Sequence, residues 1–200
     1  ARRKDVERYR QRMVPQIARF PRYPVQYDNG KRPFGEPEPV FVALGSNLGD
    51  RAENLRVALE RIGDSESISA VSSVYETEPW GVPDEQPAYL NQVCELQSST
   101  PASDLMNLLL GIEADLGRKR TFENEARPLD LDILFYGDRV IDIPGLQIPH
   151  LRLHERAFVL APLAEIAPEL IHPILGATPG DFLRDVDASG VQRYPASPRM

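Results

Sequence analysis

Between Val40 and Phe135 the chain runs through six segments whose apolar spacing switches between that of a strand and that of a helix. This order constrains the fold more than any other feature. Val40-Phe41-Val42-Ala43-Leu44 is a short continuous apolar run, the pattern of a buried strand. Gly45-Ser46-Asn47-Leu48-Gly49-Asp50 then turns the chain, with Asp50 placed as an N-cap. Leu55, Ala58, Leu59 and Ile62 follow at helical spacing until Gly63. Ile68 to Tyr75 reads as a second strand and Leu90 to Leu96 as a third. Between them, Thr77 to Ala88 holds Pro79, Gly81, Pro83 and Pro87 and reads as a loop. Pro101 opens a second helix with Leu105, Leu108, Leu109, Ile112 and Leu116 on one face, stopped by Gly117. Leu129 to Phe135 is the fourth strand.

Strand, helix, strand, strand, helix, strand is the split βαβ order. It predicts an α+β, ferredoxin-like fold with both helices on one face of an antiparallel sheet. Arg139-Val140-Ile141 and Leu146-Gln147-Ile148 predict a small hairpin around Pro144-Gly145, and Ala157 to Leu163 a short helix ended at or near Pro162. Little regular structure is expected after Pro179, so 179–200 reads as a tail and 40–178 as the domain. Residues 1–39 stand apart. They are Arg-rich, broken by six prolines, with room for one short helix over Val6 to Ile17. They read as a mobile extension, with an organelle-targeting remnant or a tail laid over the domain as the alternatives.

The fourth strand carries Asp130-Leu131-Asp132. Side chains two apart on a strand share a face, their Cα atoms roughly 6–7 Å apart. Two carboxylates held that close in an apolar strand repel each other and lose hydration. A hard divalent cation relieves both, and Mg²⁺ keeps positions for water and phosphate after taking a few carboxylate oxygens. Arg118-Lys119-Arg120 and Arg127 lie just upstream. Cations for phosphate beside carboxylates for metal point to phosphoryl transfer. Taken alone, the tripeptide also suits the polar edge of a sheet beside a solvated basic loop.

Charge narrows the partners. The net charge is −7, but residues 1–35 carry ten Lys/Arg against three acids, which leaves −14 on the remainder. A folded part this acidic is a poor nucleic-acid binder. No apolar run approaches the roughly 18 residues of a membrane-spanning helix. The one cysteine, Cys94, rules out an internal disulfide and reads as a small buried hydrophobe on the third strand.

Five further segments occur in a fixed order. They are Ala43-Leu44-Gly45-Ser46-Asn47-Leu48-Gly49-Asp50; Ser72-Ser73-Val74-Tyr75-Glu76-Thr77-Glu78-Pro79-Trp80-Gly81 before Tyr89-Leu90-Asn91; Arg118 and Arg120 before Arg127-Pro128-Leu129-Asp130-Leu131-Asp132; Ile148-Pro149-His150; and Arg156-Ala157-Phe158-Val159-Leu160-Ala161-Pro162-Leu163. From about Val40 to Leu170 this series resembles the 6-hydroxymethyl-7,8-dihydropterin pyrophosphokinase family of folate biosynthesis. The resemblance implies transfer of the diphosphate of ATP to the hydroxymethyl group of a reduced pterin, with release of AMP. ATP is then the co-substrate, and two Mg²⁺ ions are implied on Asp130 and Asp132. Arg118 and Arg120 match mobile-loop arginines, and Arg127 a phosphate-binding arginine nearer the sheet. Glu113, Ile133, His150 and Arg156 match nucleotide-contacting positions. Tyr89 and Phe158 match the aromatics that sandwich the pterin, Asn91 the side chain that reads the ring edge, and Thr77 and Trp80 loop positions beside it.

The resemblance has departures. Thr121-Phe122-Glu123-Asn124-Glu125-Ala126 lacks the Trp often found in the mobile loop, and Leu110 replaces a polar nucleotide contact. His154 and His172 match no role. The resemblance further implies a cytoplasmic monomer, or one associated with neighbouring folate enzymes, with no nucleic-acid or membrane partner. Two alternatives stay open: an RNA-binding ferredoxin-like module that uses the basic tail, and a non-catalytic pterin- or nucleotide-binding regulator.

Overall fold

The computed structural model describes residues 35–79, 86–117 and 126–195. The expected order is present. β1 (Glu38–Ser46) leads through α1 (Arg51–Gly63) to β2 (Ser67–Val71) and β3 (Tyr75–Thr77), then β4 (Tyr89–Ser98), α2 (Ala102–Asp115) and β5 (Asp130–Tyr136). The hairpin β6 (Ile141–Ile143) and β7 (Leu146–Ile148), α3 (Ala157–Ile166), α4 (Pro179–Asp185) and β8 (Val191–Arg193) follow. The antiparallel sheet runs β5-β1-β4-β3-β8, with β2 also on β4, so the first strand is central as the ferredoxin-like order requires. Asp50 caps α1 through a bond from the Glu53 N–H, 3.1 Å. The N-terminal helix expected over Val6–Ile17 lies outside the described residues.

Alternation along β1 divides the core. Val40, Val42 and Leu44 pack with Leu55, Ile62, Leu105 and Leu109 of α1 and α2. Phe41 faces the other way, with Val93, Leu134, Leu160, Leu163 and Phe182. The two helices of the split βαβ order thus share one face, as expected, and α3 and α4 add a second apolar layer on the other. That closes the open strand platform an RNA-binding module of this fold would use. Cys94 is fully buried and its thiol is pushed up to about 12 by burial, as a packed hydrophobe should be.

Three expectations are corrected. The strand expected over Ile68–Tyr75 is two strands, because Ser72 interrupts the ladder: its hydroxyl accepts from the Val93 N–H at 3.0 Å and its carbonyl from the Gln92 amide at 2.7 Å. Pro162 does not end α3, which runs four residues further. Burial of Leu160 and Leu163 outweighs the one helical hydrogen bond a proline removes. Residues 179–193 hold regular structure where little was expected. α4 begins with a capping box in which Thr178 and Asp181 bond reciprocally, with Pro179 at its first turn, and β8 pairs with β3. Among the described residues no helix is long and apolar enough to cross a membrane.

His172 is enclosed between α4 and the sheet. Its Nδ1 accepts from the Ile174 and Leu175 N–H groups, both 3.2 Å, and its ring meets Phe135 and Phe182 edge-on at 5.5 and 5.9 Å. Burial, and then the nearby His154, push its pKa down to about 3. The sign follows from linkage. Below about pH 6.5 the unfolded chain takes up a proton at this site and the folded chain does not. Stability therefore falls as pH drops from about 6.5 towards 3. Equilibrium unfolding in urea should show this as a slope that His172→Asn makes shallower by about one proton. An unchanged slope in that variant would mean other groups carry the acid sensitivity.

Candidate active site

At one end of the face covered by α3, the sheet changes from apolar to polar. Gly45 of β1 stands opposite both Asn91 of β4 and Asp130 of β5, and Ala43 opposite Asp132. In antiparallel pairs, opposed residues share a face. Asp130, Gly45 and Asn91 therefore form one row across three strands, with Asp132 beside it. The intervening Leu131 and Ile133 point into the opposite core. The chain thus makes an apolar strand and an acidic rim from one stretch.

This row floors a cavity of about 140 Å³, ringed by Thr77, Tyr89, Arg127, Arg152, Arg156 and Phe158 as well as the two aspartates. A second cavity, about 690 Å³, lies between β5 and the β6–β7 hairpin, lined by Ile133, His150, Asp142, Gln147 and Met106. Asp132 lines both cavities.

The polar groups are held in place. The buried Asn91 amide donates to Thr77 Oγ1 at 2.7 Å, which leaves its carbonyl oxygen turned from Thr77 towards Gly45. Arg127 Nη1 meets Asp130 Oδ1 at 3.1 Å. Burial works against its charge, but Asp130 and Tyr89 more than offset this and hold its pKa above the ordinary value. Arg156 Nη1 and His150 Nε2 stand 4.0 and 3.9 Å from Asp132 Oδ2, and Arg156 lies 5.7 Å from the Phe158 ring centre. Burial and the neighbouring Arg156 push His150 down to about 4, so it is neutral at pH 7. Its Nδ1 accepts from the Arg152 N–H at 3.3 Å, which puts the ring proton on Nε2, the nitrogen nearer Asp132.

Of the expected site residues, Thr77, Tyr89, Asn91, Arg127, Asp130, Asp132, Arg156 and Phe158 meet in the first cavity, and Ile133 and His150 in the second. Glu113 lines neither. It is buried behind β5, accepting from the Leu131 N–H at 2.7 Å. Trp80, Arg118, Arg120 and Phe122 lie outside the described residues. Sequence reading gave no role to Gly45 or Arg152 in the first cavity, nor to Asp142 and Gln147 in the second. Gly45 was detectable in principle, as a glycine ending an apolar strand, where backbone and ligand can approach closely.

No group of three or more metal-ligating side chains occurs among the described residues. Two carboxylates on one rim nevertheless suit a hard cation that completes its shell with phosphate and water, as Mg²⁺ does.

A family model described as 7,8-dihydro-6-hydroxymethylpterin-pyrophosphokinase (HPPK) matches residues 41–168. The chain is 39% identical over 161 residues to a 2-amino-4-hydroxy-6-hydroxymethyldihydropteridine pyrophosphokinase of Pseudomonas aeruginosa, covering 79% of this chain and 98% of that protein. It is 37% identical over 157 residues to the folic acid synthesis protein fol1 of Schizosaccharomyces pombe, covering 78% of this chain but only 21% of that longer one. The fold matches a Plasmodium falciparum HPPK-DHPS crystal structure with a TM-score of 0.62 at 14% identity, covering 75% of this chain and 43% of that one.

Proposed function

The chain belongs to the 7,8-dihydro-6-hydroxymethylpterin-pyrophosphokinase family, pyrophosphokinases of folate biosynthesis, and on that footing we propose that it transfers diphosphate from ATP to a reduced hydroxymethyl pterin. The observation that carries this reading is Asp132, shared by a small aromatic-flanked cavity and a larger one beside it. The pterin takes the first, between Tyr89 and Phe158, with Asn91 reading its edge and Gly45 leaving room for the ring to lie on the sheet. The nucleotide takes the second. The triphosphate then lies across the aspartates, towards Arg127 and Arg156.

The hydroxymethyl oxygen attacks the β-phosphorus and loses its proton to solvent. The bond from that phosphorus to the α–β bridging oxygen breaks, and AMP leaves. Asp130 and Asp132 would hold Mg²⁺, which supplies charge neutralisation on the phosphate oxygens. The guanidinium of Arg127 suits paired phosphate oxygens. Arg156 and neutral His150 add donors from the other side, and Arg118 and Arg120 belong to the same reading as closing-loop cations. Phe158 and Tyr89 stack on the two faces of the acceptor ring. With no side chain placed as an obvious general base, acceleration rests on alignment and electrostatics.

The activity belongs to the unit from residue 40 onward, with 1–39 as an extension. A cytoplasmic setting fits the single reduced thiol, and association with other folate enzymes fits the longer relative. The test is product analysis with ATP, Mg²⁺ and 6-hydroxymethyl-7,8-dihydropterin. AMP and the pterin diphosphate are expected in equal amounts. ADP, or no pterin-dependent turnover, would refute the reading.

A further inference from the structure

The structure assigns Asn47 a positioning role: it sets the spacing between the segment that carries the pterin contacts and the segment that carries the phosphate and metal contacts. This rests on the reaction proposed above. Asn47 is fully buried and lines neither cavity. Its side-chain Oδ1 accepts from the Arg127 N–H at 2.7 Å, and its own N–H donates to the Arg127 carbonyl at 3.1 Å. Both main-chain groups of Arg127 are thus held by one residue, three positions before Asp130. On the other side, Asn47 Nδ2 donates to the Gln86 side chain at 3.3 Å and the Pro87 carbonyl at 3.4 Å, just ahead of Tyr89 and Asn91.

An amide is suited to this place. It offers an acceptor and a donor about 2.3 Å apart on one rigid plane, so it adds a direct tie between two segments that otherwise meet through β1 and the Arg127–Tyr89 side-chain contact. Neither an aliphatic residue nor a hydroxyl does both at that reach. The nearby Asn54 is the natural comparison. Its Nδ2 donates to Ser46 Oγ, the Leu48 carbonyl and the Pro128 carbonyl, at 3.2, 2.9 and 3.1 Å, so it binds only the phosphate side. Both asparagines support local structure, but only Asn47 spans the two halves.

Such a bridge acts on alignment, not on affinity. The attacking oxygen is placed by one segment and the phosphorus by the other. A shift of about 1 Å between them can lower the rate on the order of a hundredfold while each substrate keeps its own contacts. Asn47→Ala is therefore expected to lower kcat by roughly ten- to a hundredfold. The separately measured Kd for the pterin and for a non-hydrolysable ATP analogue should each stay within about threefold.

Two comparisons separate this from general loosening. Asn54→Ala should lose comparable thermal stability yet keep kcat within about threefold. Asn47→Asp retains the acceptor for Arg127 but not the amide donor. It should keep the Arg127 amide protected from hydrogen exchange and still lose kcat, whereas Asn47→Ala loses both. If wild-type protein makes no AMP, the reaction itself is wrong, and the exchange measurement still reports on the bridge. With wild-type turnover established, the role is overturned by any of three results: a folded Asn47→Ala with unchanged kcat, a loss confined to KM, or an equal loss of kcat in Asn54→Ala.

Discussion

Asp132→Ala should lower AMP release by about a thousandfold, roughly 4 kcal/mol of transition-state stabilisation, without loss of fold. Two features set the size of the effect. Asp132 is the carboxylate common to both cavities, so it lies where acceptor and triphosphate would meet. Neutral His150 and cationic Arg156 stand 3.9 and 4.0 Å away on a side chain 36% exposed, so the one long ion pair contributes little to stability. The Asp130 variant should differ in an informative way. Asp130 pairs with Arg127 at 3.1 Å, and the Arg127 side chain is only 18% exposed. Asp130→Ala therefore leaves a largely buried cation without that carboxylate, and should lose stability as well as turnover. Steady-state AMP formation together with thermal melts reads both quantities. Near-normal AMP release from folded Asp132→Ala would remove the metal assignment.

Gly45→Val should raise the pterin Kd by about a hundredfold or more, roughly 2.7 kcal/mol, with nucleotide affinity within about threefold. The glycine is the penultimate residue of β1 and still paired on both sides, where Val is a better strand former. A Cβ there would sit 3.4 Å from Asn91 Oδ1 and 3.9 Å from Asp130 Cβ and the Tyr89 ring, ordinary contact distances. The branched methyls would then occupy the cavity floor between Asn91 and Asp130. Gly45 lines the first cavity and not the second, which is why the effect should be one-sided. Isothermal titration with each ligand separately checks this. Gly45→Ala should give a smaller loss in the same direction. Undiminished pterin binding by the valine variant would place the pterin elsewhere.

The fold was legible because apolar periodicity sets which elements form, and short connections leave few ways to join them. The rigid part of the site was legible for a related reason. Asp130, Asp132 and Asn91 sit on strands, where residue parity determines the face. What escaped was short or local. β8 has three residues, too few to show a period, and its partner β3 is no longer. α4 carried a readable Thr178-Pro179-Gly180-Asp181 cap, but its apolar face rests on Phe182 and a few neighbours. Pro162 misled because local backbone chemistry argues for a helix end, while tertiary burial carries α3 past it. Asn47 escaped because its importance lies in distant partners: its bridge reaches segments 39 and 80 residues away. Glu113 shows the converse. It matched a nucleotide-contacting position, yet the residue supports β5 from behind through the Leu131 N–H.

The proposed reaction requires Asp130 and Asp132 to collect divalent cations together with a triphosphate. Counting Mn²⁺ bound per chain by electron paramagnetic resonance, with and without a non-hydrolysable ATP analogue, tests this most directly. Two ions per wild-type chain are predicted with the analogue, weak binding without it, and loss of at least one ion in Asp132→Ala. The same Mn²⁺ count in wild type and variant, with the analogue bound to both, would contradict it.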